Sequence, residues 1–369
     1  MNQLFRWDQT GLFLLALAAG ILPFAVPEVC AAALREGLTL CSGPLLLSLF
    51  PFLVVSRLLI QCPESDLLAL PFRLAAWGIG IRTPCAARVL CIGFLGGFAP
   101  AASAAAQAVR TGQLTAEEAD ALLPACICSS PSFVVLTVGQ SLLGSAELGV
   151  LLFASQITAN YLTAALLNRF AGVHSVKPES AVPASPAPPR LDEILADAAI
   201  TYCKLCGFIL FFRMLAAGAG ALLPAGAGTL CSILLEVCSG CDLASRTGSW
   251  GSLLCCAALS VQGLSVLLQV RTICPPEMTL RPLYRSRLLH LPLSLALFYL
   301  LLPGGEADVF STLPARVLLM RRVPPDCALL VFAVCCMAAC TLRSGIRQVE
   351  QKQMARNAGG CCINSKTLL

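Results

Sequence analysis

Residues 42–60 read SGPLLLSLFPFLVVSRLLI, an apolar run long enough to cross a bilayer that carries one charge, Arg57. A second stretch, 206–218, reads CGFILFFRMLAAG and places Arg213 in a similar setting within the apolar segment 199–223. An ionised side chain inside a membrane costs free energy and usually has a function. Two apolar runs of the same design therefore indicate an internal duplication in a protein that crosses the membrane several times.

The composition supports a membrane protein and excludes several other classes. Hydrophobic residues make up 57% of the 369 residues and charged residues 12%, which is too little charge for a soluble globular chain of this length. The net charge is +5, and the basic residues lie singly at the ends of apolar runs rather than in a patch. We therefore predict an all-α polytopic membrane protein that lies in the lipid bilayer and does not bind nucleic acid.

The apolar segments predict about eight transmembrane helices and two broken segments. The broken segments are 87–108, which contains Gly96 and Gly97, and 227–243, which contains Glu236. Glycine and proline free backbone groups that lipid cannot satisfy, so we interpret both broken segments as re-entrant hairpins buried in protein. The predicted crossings are 11–27, 43–61, 124–143, 147–168, 199–223, 250–272, 284–303 and 326–342.

The order of these segments divides the chain into two repeats. Three predicted crossings separate the start of the first repeat from the start of the second, so the two repeats would insert in opposite orientations. Inverted repeats with discontinuous helices are the architecture of secondary transporters. The divisions are 1–42 (first transmembrane helix and connecting segment), 43–170 (first repeat), 171–190 (a linker rich in Pro, Ser and Ala), 191–305 (second repeat), 306–342 (last transmembrane helix) and 343–369 (basic tail).

The distribution of basic residues predicts the orientation. With both termini in the cytoplasm, most basic residues, including Arg287, fall on the cytoplasmic side together with the linker 171–190, as the positive-inside rule prefers. We therefore expect a multi-pass protein of the bacterial cell membrane with cytoplasmic termini. The basic residues expected on the outer side are Arg35, Arg246, Arg316, Arg321 and Arg322.

Two predicted helices are interrupted by small polar residues, and these interruptions are the candidate binding site. Span 124–143 contains PACICSSPSFVVLTVGQ, and span 250–272 contains WGSLLCCAALSVQGLSVLLQV. A broken helix exposes unpaired N–H and C=O groups that bind a polar solute or an ion. The alternative is that serine and glycine only allow close helix packing. The candidate residues are Ser129, Ser130, Ser132, Gln262, Gly263 and Ser265, with Gly96, Gly97 and Glu236 from the hairpins.

The two intramembrane arginines are expected to differ. Arg57 lies near the end of its span, where its long side chain can reach the headgroups, and leucine there should be tolerated. Arg213 lies near the middle of its span and needs a partner, for which Glu236 and Asp242 are the candidates in the second hairpin.

The remaining polar features predict no catalytic site. Residues 114–123 (LTAEEADALL) form a capping box of Thr115 with Glu118, on a short helix whose acidic residues, Glu118 and Asp120 among them, should face water. His290 lies at the mouth of a predicted helix, where it should also be solvated or interfacial. The sequence contains no catalytic triad, phosphate-binding loop or zinc signature, so we expect no enzyme activity, no cofactor and no metal.

Several of these segments resemble the YlbJ family of sporulation integral membrane proteins, which is built on the nucleoside-recognition (Gate) domain. The matching stretches are LFPFLVVSRLLI (49–60), GFLGGFAP (93–100), GQLTAEEADALL (112–123), CSSPSFVVLTVG (128–139), LLEVCSGC (234–241) and QGLSVLLQV (262–270). The resemblance implies a plasma-membrane protein of endospore-forming bacteria, similar to the membrane domains of nucleoside transporters. The chain departs from the family at Phe98 and Ile127, where a tyrosine and an asparagine are usual.

Two functions follow from the pattern and the resemblance. The first is a transporter- or channel-like permease for a small polar solute or ion. The second is a structural component of the sporulation membrane that does not transport and that contacts itself or other sporulation membrane proteins. Broken helices favour the first function, and the loss of two polar side chains favours the second.

Overall fold

The computed structural model describes residues 9–61, 65–171 and 191–302, and this part of the chain is helical without strands. The predicted last span 326–342, the linker and the tail lie outside the described residues. The helices are α1 Gln9–Ala25, α2 Pro27–Ser42, α3 Pro44–Gln61, α4 Ser65–Leu68, α5 Leu70–Gly78, α6 Pro84–Gly96, α7 Phe98–Arg110, α8 Ala116–Cys126, a π-helix Phe133–Leu142, α9 Ala146–Ala171, α10 Leu191–Leu222, α11 Ala225–Leu235, α12 Val237–Ser245, α13 Gly251–Val261, α14 Gly263–Ile273 and α15 Arg281–Leu301.

Among the described residues, four helical stretches are long and apolar enough to cross a membrane, namely Pro27–Ile60, Ala146–Ala171, Leu191–Leu222 and Gly248–Ile273. In the most apolar 18 residues of Gly248–Ile273, 61% are buried. The corresponding share is 19% in Pro27–Ile60, 39% in Ala146–Ala171 and 33% in Leu191–Leu222. Large apolar side chains such as Phe170 cover much of the outside. An apolar surface around a buried central helix is the arrangement of a membrane-embedded protein, because lipid replaces water around it. The number of crossings and their orientation stay predictions.

The N-terminal region contains one more helix than expected. The sequence pattern predicts only a connection after the first span, whereas residues Pro27–Ser42 form α2, with Pro27 at its first position. Helix α10 packs against both α2 and α3. The hydroxyl of Tyr202 on α10 donates a hydrogen bond to the carbonyl of Cys41 at the end of α2.

Both segments predicted as hairpins consist of two helices joined by a break. The first breaks at Gly97, whose φ of +81° is left-handed backbone that glycine adopts at little cost. A Cβ on Gly93 would lie 3.2 Å from the Cβ of Ala101, eight residues further on. Eight residues of straight helix span about 12 Å, so the chain folds back sharply at this break. The second segment breaks at Glu236, between α11 and α12.

Both predicted broken helices are also broken in the structure. Helix α8 ends at Cys126, residues 127–130 are not helical, and the π-helix follows. Helix α13 ends at Gln262, whose φ of +64° lies in the left-handed region, and α14 begins at Gly263 with a φ of +70°. The capping box of Thr115 with Glu118 opens α8, so the predicted short helix is the first half of the broken helix rather than a separate element.

The prediction that Glu118 and Asp120 face water is wrong. Asp120 is 6% exposed and accepts hydrogen bonds from the backbone N–H and the hydroxyl of Thr279 at 2.8 and 2.6 Å. Glu118 is 7% exposed and accepts a hydrogen bond from the hydroxyl of Thr83 at 2.6 Å. Both carboxylates therefore join α8 to loops that are distant in sequence.

Candidate functional site

The tip of each hairpin touches the break of a broken helix. A Cβ on Gly97, at the tip of the first hairpin, would lie 2.9 Å from the backbone nitrogen of Ser130. In the second half, a Cβ on Gly263 would lie 2.9 Å from the backbone nitrogen of Glu236, at the tip of the second hairpin. Real Cβ atoms do not approach backbone this closely, so only glycine fits at either contact.

The two breaks are linked to each other through one carbonyl oxygen. The side-chain amide of Gln262 donates a hydrogen bond of 3.2 Å to the carbonyl of Ile127. Ile127 is the C-cap residue directly after α8. The same oxygen accepts from Asn160 Nδ2 on α9 at 3.4 Å. The Oε1 atom of Gln262 is buried and has no hydrogen-bond partner among the described residues, and an amide left in that state costs free energy.

A buried arginine completes the group of polar side chains around the carbonyl of Ile127, which we call the polar centre. Arg287 on α15 is 7% exposed. Its guanidinium donates to the carbonyls of Ile127 and Ser260 at 3.5 Å and to Asn160 Oδ1 at 3.3 Å. The charge distribution assigns Arg287 to the cytoplasmic side of the membrane and predicts nothing about its burial. The arginine is buried because α15 packs this face against α8, α9 and α13.

A second layer of polar side chains surrounds this centre. Gln156 Nε2 on α9 donates to the carbonyl of Cys256 at 3.2 Å and to the hydroxyl of Ser260 at 3.0 Å. The hydroxyls of Ser260 and Ser294 share a hydrogen bond. His290 Nε2 lies 3.2 Å from the carbonyl oxygen of Gln156. His290 is 1% exposed, so the expectation that it is solvated or interfacial is wrong.

The sequence contains a signal for this polar centre that a count of charges overlooks. Arg287, His290 and Ser294 are spaced i, i+3 and i+7, and Gln156 and Asn160 are spaced i and i+4, so each set lies on one helix face. A polar stripe on a helix in an apolar chain faces the protein interior. The positive-inside rule considers only the number of basic residues on each side of the membrane, and it therefore does not predict that Arg287 is buried.

The serines of the first break and the polar residues of α14 lie near the same contacts. Ser129, Ser130 and Ser132 are half-buried, and the hydroxyls of Ser130 and Ser132 lie 3.2 Å apart. Ser265 is buried and accepts a hydrogen bond from Gln269 Nε2 at 2.9 Å, while Gln269 Oε1 has no partner among the described residues.

Glu236 and Gly96 have structural contacts of their own. The Glu236 carboxylate accepts hydrogen bonds from the backbone N–H groups of Cys238 and Ser239 at 2.9 and 2.7 Å. It therefore caps the N-terminus of α12, where a negative charge is favourable. A Cβ on Gly96 would lie 2.9 Å from Cγ of Pro100, so Gly96 allows the tight bend of the first hairpin.

The two intramembrane arginines form ion pairs that the sequence pattern does not predict. Arg57 is 8% exposed, bonds to Asp197 at 2.6 Å, and also donates to the hydroxyls of Ser103 and Thr201 at 3.3 Å. Arg57 is thus anchored inside the protein.

Arg213 pairs with Glu36 on α2 at 2.7 Å and not with Glu236 or Asp242. Asp242 instead pairs with Arg246, one turn further along α12. Because the sequence pattern does not predict α2 as a helix, it offers no reason to place Glu36 beside Arg213.

Comparison of the sequence with models of known protein families, with curated proteins and with solved structures finds no match. The arrangement itself offers amide oxygens, hydroxyls, a guanidinium and the ends of helices at one buried place. Such groups bind and orient a polar solute. Within residues 9–61, 65–171 and 191–302, no three His, Cys, Asp or Glu side chains are grouped to hold a metal ion.

Proposed function

We propose that this protein is a permease for a small polar solute, which crosses the membrane between the two hairpins at the meeting point of the two broken helices. The observation that carries the proposal is the hydrogen bond from Gln262, at one break, to the carbonyl of Ile127, at the other. Breaks cost backbone hydrogen bonds in a membrane and are tolerated where they are buried in protein or line a path for a solute.

An inverted repeat is part of this proposal. Apart from the short helices α4 and α5, which have no counterpart in the second half, the two halves follow the same order of elements: α3, α6, α7, α8, the π-helix and α9 in the first, and α10, α11, α12, α13, α14 and α15 in the second. The packing between the halves is also reciprocal, because α7 packs against α14 and α12 packs against the π-helix. Transporters built from such repeats bind their solute between the repeats and expose the site to each side in turn.

In the proposed mechanism the hairpins act as gates. The contacts of Gly97 with Ser130 and of Gly263 with Glu236 close the site in this conformation. Passage of a solute requires each tip to separate from its break in turn. Gln262 Oε1 and the serine hydroxyls of the first break then become available to the solute. An uncapped helix N-terminus at Gly263 adds free N–H groups at the same place.

The resemblance to sporulation membrane proteins supplies the cellular setting of the proposal, a multi-pass protein of the cell membrane of an endospore-forming bacterium. The alternative in that setting is a structural component of the sporulation membrane. The hydrogen bonds of Glu236 favour this alternative, because they engage that carboxylate in capping α12.

An experiment in a spore-forming host separates the two functions. The gene is deleted and then replaced by variants with Gln262→Leu or Ser132→Ala, and heat-resistant spores are counted. Gln140→Leu is the matched control, because Gln140 is exposed on the π-helix. The permease predicts that deletion and Gln262→Leu reduce spore formation while Gln140→Leu does not. If deletion of the gene blocks spore formation but Gln262→Leu leaves it normal, the result would favour the structural component.

A further inference from the structure

Arg287 is a buried cation whose hydrogen-bond partners among the described residues are all neutral. Its acceptors are two backbone carbonyls, those of Ile127 and Ser260, and the amide oxygen of Asn160. None of the ion pairs between described residues involves Arg287. A buried guanidinium is stable only if something offsets its charge, so the source of that offset has to be found.

The two carbonyls belong to the ends of two helices. Ile127 is the C-cap residue directly after α8, and Ser260 lies in the last turn of α13. The C-terminus of a helix carries about half a negative charge, because its last carbonyls have no partner within the helix. Two such ends together supply about one negative charge, which matches one guanidinium. Arg287 is therefore offset by helix ends instead of a carboxylate.

Transporters with broken helices use such oxygens in another way. Unwound backbone carbonyls and the C-terminal ends of half-helices there coordinate the sodium ion or proton that drives transport. In this protein the same kind of oxygens surround a side chain whose charge is permanent, since arginine does not lose its proton in proteins.

We propose that Arg287 is a built-in cation, which occupies the place where the C-termini of α8 and α13 would otherwise bind a monovalent cation from solution. The part of this inference that concerns transport rests on the function proposed above. For transport, the inference means that the permease needs no sodium ion at this position, because the Arg287 guanidinium already supplies the positive charge between the two breaks. Asn160 fixes the guanidinium by accepting one of its hydrogen bonds.

The test compares thermal unfolding of purified full-length protein in detergent, in choline chloride and in the chlorides of lithium, sodium and potassium. Wild type should unfold at the same temperature in all four salts. Arg287→Ala should be less stable in choline chloride. It should be stabilised saturably by at least one alkali ion, by about 3–4 °C when that ion is at 100 times its dissociation constant.

Two further variants are the controls. Arg287→Lys keeps the charge and should respond to the salts as wild type does. Arg213→Ala removes another intramembrane arginine, but one that pairs with a carboxylate, Glu36, so it should show no response specific to alkali ions.

Three results would overturn the inference. The first is a saturable alkali-ion stabilisation of wild type. The second is an Arg287→Ala variant that responds to the salts no more than Arg213→Ala does. The third is an Arg287→Ala variant that yields no folded protein even in high concentrations of the alkali chlorides. These measurements involve no solute, so a negative result would contradict the built-in cation and leave the proposed permease function untouched. If the protein shows the expected ion response but transports no solute, the permease function is contradicted and the built-in cation is supported.

Discussion

The contact between hairpin tip and helix break predicts that Gly263→Ala lowers the free energy of unfolding far more than alanine at a comparable glycine does. Gly263 has a φ of +70°, and its Cβ would lie 2.9 Å from the backbone of Leu235 and Glu236. Gly248 has a φ of +66°, but its Cβ would meet nothing within 4 Å. Both substitutions incur the left-handed backbone penalty of about 1–2 kcal/mol. Only Gly263→Ala adds the cost of overpacking, about 1–3 kcal/mol.

The first hairpin offers an independent pair of the same kind. A Cβ on Gly97, with a φ of +81°, would lie 2.9 Å from the backbone nitrogen of Ser130. Gly144, with a φ of +76°, is open to a Cβ. Gly97→Ala should therefore lower the free energy of unfolding more than Gly144→Ala does, by the same overpacking cost.

The assay is thermal unfolding in detergent, followed by the loss of the monodisperse peak in size-exclusion chromatography. With about 1.3 °C of melting temperature per kcal/mol for a chain of this length, the overpacking cost corresponds to an extra loss of roughly 1–4 °C for each clashing glycine. Equal losses for Gly263→Ala and Gly248→Ala, repeated for Gly97→Ala and Gly144→Ala, would refute the contact between tips and breaks.

Three further comparisons of variants test the polar contacts in the same unfolding assay. Arg57→Leu should cost more than Arg213→Leu, because it removes the donor to the buried hydroxyl of Ser103, a loss of about 1–3 kcal/mol; a larger loss for Arg213→Leu would contradict the pairing. Exchanging the charges of Arg213 and Glu36 should restore part of the stability that either single reversal removes; no restoration would exclude their contact. Asp120→Leu should lower stability more than Asp120→Asn, since the amide keeps one acceptor for the loop before α15; equal losses would show that this hydrogen bonding is unimportant.

The sequence was a good guide to where the helices break. Gly97, the serines of the first break, and Gln262 with Gly263 were all identified from the sequence, and the structure interrupts a helix at each place. This succeeds because a break is local: glycine at positive φ and the Ser-Ser-Pro run act on the backbone within a few residues.

The sequence was a poor guide to which charged groups meet. Arg213 pairs with Glu36, which is 177 residues away, and Arg57 with Asp197, which is 140 residues away. Such pairs depend on how whole helices pack, which single-segment patterns do not contain. The sequence does not predict the burial of Arg287 for a related reason, since the positive-inside rule sorts loops by charge and does not consider whether neighbouring helices cover a helix face.

Solute flux into sealed vesicles is the direct test of the permease. Purified protein is reconstituted into liposomes, and osmotic swelling is followed with a panel of polar solutes: urea, glycerol, alanine and uridine. We expect wild type to admit at least one of these faster than protein-free vesicles do, Gln262→Leu to abolish the difference, and Gln140→Leu to keep it. Flux through Gln262→Leu equal to that through Gln140→Leu, or no flux above protein-free vesicles for any solute, would contradict a permease centred on the two helix breaks.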